Sequence, residues 1–166
     1  MKESFSQYLD TIRSHQENFP VPVDLIARTL GIEICHSDTL PENISGFIKR
    51  HDTDPRKYEI HVNATHNKSR RRFTIAHELA HFILHKDHIG DCITDDALYR
   101  SSLSSRIEVE ANELAMNILM PWHLLEPRLK EDHVSVNSLS REFDVSTSAM
   151  AVRLGIPYEY MNIHTL

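Results

Sequence analysis

The segment His77-Glu78-Leu79-Ala80-His81 sets two imidazoles four positions apart with a carboxylate beside the first. A residue on an α-helix advances about 100°, so His77 and His81 stand one turn apart on one face and can share a divalent metal ion. Zinc suits such a pair, and Glu78, next to that face, can take a proton from a water at the metal without being a ligand. Metal-assisted hydrolysis is the chemistry this spacing suggests. Five residues also match by chance, in proteins where the two histidines only pack or lie on the surface, so a third ligand is needed.

A second helical pattern, from Arg106 to Met120, offers one. At about 100° per residue, Glu108 lines up with Asn112, Ala115 and Leu119, bordered by Ala111 and Ile118. A carboxylate on that apolar stripe needs a cation or several donors to offset its desolvation. Glu110 and Glu113 lie about 200° and 140° from Glu108 on the same wheel, which turns them toward solvent. A competing role for Glu108 is the capping box Ser105-Arg106-Ile107-Glu108. Asn112, one turn beyond Glu108, can accept the free N–H of a ligand histidine and fix its tautomer. His85 repeats the spacing after His81, but a fourth protein ligand would close the site to water, so an outer or surface role is expected for it.

Arg72-Phe73-Thr74-Ile75-Ala76-His77-Glu78-Leu79-Ala80-His81, followed by Ile83-Leu84-His85 and later by Glu108-Val109-Glu110-Ala111-Asn112 and Ile118-Leu119-Met120-Pro121, resembles the ImmA/IrrE metallopeptidases. The strand pattern ending at Val62-Asn63 is similar too, and the likeness covers about residues 21 to 125. Ala80 departs mildly from the family pattern, standing where glycine is common. The resemblance implies a gluzincin-type zinc peptidase with one Zn2+ per chain, ligands His77, His81 and Glu108, and Glu78 as general base. It also implies a protein substrate, a helix-turn-helix repressor of the Xre type, cut to derepress prophage, mobile-element or stress genes. In that mechanism Glu78 takes a proton from the attacking water and returns it to the leaving amine. The oxyanion donor is left open among Tyr99, His85, His88, Tyr158 and Tyr160.

The elements that must position these groups give an α+β fold. Helices are expected from about Ser4 to His15 and Asp24 to Leu30, then two or three antiparallel strands at Ile32–His36, Ile44–Lys49 and Tyr58–Val62. The metal helix should run from Ser69 to about Lys86 and the second long helix should stop at Pro121. Val136–Phe143 and Thr147–Leu154 look like two short helices. The division expected is a peptidase domain over 1–125 and a small helix-turn-helix-like extension over 126–166, packed on it. An extended substrate should pair along the edge of the small sheet, beside the strand leading into the metal helix, at Tyr58, Ile60 and Val62.

Composition limits the alternatives. With 18 Lys/Arg against 24 Asp/Glu the chain is acidic overall, but Lys49–Arg72 holds eight basic and three acidic residues. That stretch, including Arg56 and Lys57, is expected to flank the cleft and favour acidic substrate neighbours. Arg70-Arg71-Arg72 opposes the dipole of the helix it begins, and either ion pairs or an acidic substrate segment would relieve it. Residues 128–166 carry four basic and five acidic residues, which makes direct nucleic-acid binding a poor reading of the helix-turn-helix spacing. Two cysteines, no signal-peptide pattern and no apolar run of membrane length point to a reduced, cytoplasmic protein with no membrane partner. A deformylase would need a cysteine ligand upstream of His77, whereas Cys92 lies downstream. The remaining alternatives are a metal-holding anti-repressor or a DNA-binding regulatory protein, in either case without proteolysis.

Overall fold

The computed structural model describes residues 5–17, 19–89 and 102–157, with only the backbone of 102–104. Helix α1 (Phe5–His15) buries Tyr8 and Ile12, one turn apart, and α2 (Val23–Thr29) buries Val23, Ile26 and Ala27. Gly31, at φ 74°, takes the left-handed turn that releases the chain into strand β1 (Ile32–Ser37). Strands β2 (Gly46–Arg50) and β3 (Tyr58–Asn63) follow, and then α3 (Lys68–Leu84). Asn67 starts α3 by accepting the Arg70 N–H at 2.9 Å.

The α+β class is as the sequence predicts, and one of the two strand ladders is not. The sheet order is β1-β3-β2, with β2 antiparallel to β3 but β1 parallel to it. The sheet is therefore mixed. Residues 38–45 cross the end of the sheet, so that β3 returns between its two predecessors. Asn63, fully buried, holds this crossover: its side-chain amide donates to the carbonyls of Leu40, Pro41 and Ile44 at 3.4, 3.0 and 2.9 Å. The Ile44 N–H also donates to Pro41 O at 2.9 Å, so the buried amide and this turn together hold the crossover to the end of β3.

Because β3 is central, Tyr58, Ile60 and Val62 do not lie at an edge. Their side chains are 7%, 0% and 0% exposed and form core. Main-chain pairing of substrate at these residues is corrected by that placement, since their backbone groups are already spent on β1 and β2. The 51–57 turn carrying Arg56 and Lys57 is at the Arg50/Tyr58 end of the ladder, the opposite end from Gly46/Val62.

A 3₁₀ turn (Lys86–His88) ends the α3 segment, and α4 (Ser102–Leu119) packs along α3. Ala76 and Ala80 on α3 and Ala111 and Ala115 on α4 are all fully buried, and side chains this small let the two axes approach. Pro121 ends α4 as expected, but it also caps a helix the sequence reading missed, α5 (Trp122–Leu129). Pro127 in that segment argues for a loop; burial of Leu125 at 0% exposure overrides it. Helices α6 (Val136–Glu142) and α7 (Thr147–Arg153) follow, with Asp144 at φ 53° in the turn between them. Leu139, Phe143, Val145 and Met150 join the same buried cluster as α3 and the sheet. Arg72 ties these parts together, donating to Val21 O at 2.9 Å and Asp144 O at 3.0 Å.

Candidate metal centre

Helical periodicity places His77 and His81 on one face of α3, and the packing of α4 brings Glu108 opposite them. His77 Nε2 lies 3.2 Å from Glu108 Oε2, His81 Nε2 lies 3.3 Å from Oε1, and the two Nε2 atoms are 3.0 Å apart. The three donors thus converge on one point. The imidazoles, His77 first and then His81, hold the Glu108 carboxyl well below the usual carboxylate range against the opposing effect of burial. Two ring nitrogens and a carboxylate oxygen are a donor set that zinc accepts in hydrolytic sites, with a fourth position left for water.

The outward nitrogens decide which face of each ring is available. His77 Nδ1 lies 3.0 Å from Asn112 Oδ1, and the amide oxygen can only accept, so Nδ1 carries a proton and Nε2 is the nitrogen that would turn its lone pair to a metal. His81 Nδ1 lies 3.2 Å from His85 Nδ1, and His85 Nε2 lies 3.1 Å from Glu110 Oε2. If His81 Nε2 is to face a metal, its proton sits on Nδ1 and His85 Nδ1 accepts it. His85 is then the Nε2–H tautomer and donates to Glu110. Burial pushes His85 below the ordinary imidazole value, partly offset by Glu110, which favours the neutral ring this relay requires.

His85 is thereby an outer partner, behind the ring of His81 and away from the converging nitrogens. Glu110 differs from the solvent-facing charge expected: it receives both His85 and Arg106 Nε, the latter at 2.8 Å. The helical wheel correctly separated it from Glu108 but could not show that a third histidine would reach it. The signal available was His85 itself, one turn beyond His81.

Glu78 is 5% exposed and borders the same cleft as His77, Glu108 and Asn112, without joining the cluster of donors. Ser45, Arg70, Phe73 and Thr74 complete the cleft wall. Arg70 donates from Nη2 to Ser45 Oγ at 2.9 Å, linking the start of α3 to the start of β2. Ser45 had no sequence signal, because its role arises only from the crossover. The arginine triplet is divided in use: Arg72 is structural, and Arg70 faces the cleft. Among the oxyanion candidates, His85 is committed to His81 and Glu110, and His88 is exposed on the 3₁₀ turn. Tyr99, Tyr158 and Tyr160 lie outside the described residues, as does Cys92.

Residues 27–155 match the family described as the IrrE N-terminal-like domain, Peptidase_M78. The chain belongs to this family. The matched stretch runs past α3 and α4 and through α7, further than the motifs alone carried the likeness. A relative within reach is the radiation response metalloprotease IrrE of Deinococcus deserti, 32% identical over 116 residues, or 64% of this chain and 41% of that protein. A Mycobacterium tuberculosis transcriptional regulator shares the fold at a TM-score of 0.62 and 19% identity, covering 89% of this chain and 46% of that one. The chain therefore spans less than half the length of these two proteins. In this IrrE-like domain, no helix among the described residues is long and apolar enough to cross a membrane.

Proposed function

We propose that this IrrE-like domain is a zinc-dependent endopeptidase whose substrate is a helix-turn-helix repressor of the Xre type. The observation that carries the reading is the convergence of His77 Nε2, His81 Nε2 and the Glu108 carboxylate, with the Glu78 carboxylate beside them in the same cleft. A zinc ion held by those three residues would polarise the scissile carbonyl and acidify a water, the chemistry peptide hydrolysis lacks at neutral pH. Glu78 accepts the proton of the attacking water and passes it to the departing amine nitrogen. Asn112 and the His85–Glu110 pair keep both ligand rings in the tautomer and orientation that this needs.

Substrate alignment follows from the sheet. Among the described residues no strand pairs with the outer side of β2, and Ser45, just before it, lies in the cleft wall. An extended segment pairing there would bring one carbonyl toward the metal helix, with main-chain hydrogen bonds independent of side chains. Arg70, rather than Arg56 or Lys57, is the basic residue placed to meet an acidic neighbour of the cut bond.

The helix-turn-helix-like α6–α7 pair is read as a packing or repressor-docking unit. Arg153, its last basic residue, turns inward: Nε donates to Met120 O at 3.0 Å and the guanidinium stacks 4.8 Å from the Trp122 ring. The deciding assay incubates the chain, zinc-loaded, with helix-turn-helix repressors of the Xre type. Cleavage by wild type that disappears in Glu78→Gln supports the proposal. Binding without cleavage under every divalent metal tried would instead indicate an anti-repressor that holds metal.

A further inference from the structure

The outer face of the sheet gathers a second set of metal donors, separate from the α3–α4 centre. Strand alternation sends Ile34, Ile48 and Ile60 toward the core, and so turns Cys35, Glu59, His61, Phe47 and Lys49 to the other side. Cys35 and His61 are direct partners in the parallel ladder, and Glu59 is two positions before His61 on the same face. One donor atom from each of the three lies within 4.8 Å of the others. Ligands around a zinc ion at ordinary bond lengths sit about 3.3–3.8 Å apart, so side-chain adjustments of about 1 Å would close the set on a rigid backbone.

The surroundings favour a cation. Glu59 is a carboxylate only 8% exposed, and such a group needs compensation. At present Lys49 Nζ supplies it at 2.8 Å, with His61 Nε2 at 2.9 Å from the same oxygen. Lys49 also reaches Asp52 at 2.8 Å and keeps that partner if Glu59 turns to a metal. The Phe47 ring stacks on His61 at 4.7 Å between centroids and 8° between planes, which fixes the imidazole against the face.

We propose that Cys35, Glu59 and His61 form a second site for a divalent transition metal of borderline softness, zinc above all, with Lys49 as its built-in competitor. A thiolate, an imidazole and a carboxylate match that class of ion better than calcium or magnesium, which take oxygen alone. Cys35 enters as thiolate and its proton leaves to solvent. The site has three protein ligands and must displace an ammonium, so it fills after the α3–α4 centre and does not depend on peptidase activity.

Cobalt(II) titration of the whole chain tests it, because only a thiolate ligand gives a sulfur-to-cobalt charge-transfer band and the α3–α4 centre contains no sulfur. The band is expected in wild type, in Cys92→Ser and in Glu108→Ala, and should be bleached by added zinc. Cys35→Ser and Cys35→Ala should abolish it, and His61→Ala should weaken cobalt binding by tenfold or more, on the order of one lost metal partner. Lys49→Gln should tighten binding by about tenfold, the equivalent of removing one competing ion pair. Absence of the band at concentrations that fill the α3–α4 centre many times over would overturn the site. So would a band that survives both Cys35 variants, or binding that Lys49→Gln weakens.

Discussion

The α3–α4 centre and the outer-face cluster each gather three donors, yet they differ in what stands behind them. At the first, Asn112 backs His77, the His85–Glu110 pair backs His81, and among the described residues no lysine or arginine pairs with Glu108. Each ring has an outer partner, and, among the described residues, the inner nitrogens and the carboxylate face one another with no lysine or arginine between them. At the second, Glu59 is already neutralised by Lys49, and His61 is hydrogen-bonded to Glu59 itself. The carboxylate there already has a protein cation. On the readings proposed, the first cluster would hold an ion tightly and the second only conditionally, because the protein has filled the second carboxylate's need with its own cation.

The largest test of this contrast separates chemistry from binding. Glu78→Gln keeps the shape of the cleft and removes its proton acceptor, so peptide hydrolysis should fall by about 10²–10⁴-fold while bound metal is unchanged. Parallel turnover and metal analysis check this; unchanged cleavage would sink the mechanism. Next, Glu108→Ala should drop zinc measured by mass spectrometry from near one per chain to near zero after dialysis, and leave the thiolate–cobalt band at Cys35 intact. Full zinc retention in that variant would show that the three converging donors are not the tight site.

Asn112→Ala and His85→Ala probe the outer partners directly. Each should lower zinc affinity by about 10–100-fold without removing a ligand, measured by competition with a chelator. No change in either variant would erase the distinction drawn between the two regions. A smaller effect is expected where the sheet meets α3. A Cβ on Gly46 would collide with the His61 carbonyl oxygen and the Thr74 methyl group, neither of which is the free end of a flexible chain. Gly46→Ala should cost about 1–3 kcal/mol, in the range of overpacking, and lower the thermal midpoint. A midpoint equal to wild type would mean that β2 is free to move from α3.

The smallest expected effect concerns charge at the cleft. Arg70→Glu should raise KM for the natural substrate several-fold and flatten its salt dependence, because Arg70 lines the cleft. Reversing Arg56 and Lys57, in the 51–57 turn at the far end of the β2–β3 ladder, should leave KM unaltered. The opposite result would restore the broader basic stretch as the selector.

The sequence by itself determined what depends on local periodicity. A four-residue interval puts His77 and His81 on one face wherever that helix sits, and the same arithmetic chose Glu108 over Glu110 and Glu113 and placed Asn112 behind it. The extents of α1, α3, α4, α6 and α7 were legible for the same reason, to within a few residues. Strand order was not, because three short β-rich runs are compatible with several pairings of similar local energy, and the crossover knit by Asn63 chose among them. That choice made β3 the core strand, removed Tyr58, Ile60 and Val62 from any edge, and brought Ser45 to the cleft. Only tertiary structure could also set Cys35 against His61, 26 positions away in sequence but adjacent across a parallel ladder. No helical or strand period links two such residues; the ladder register does.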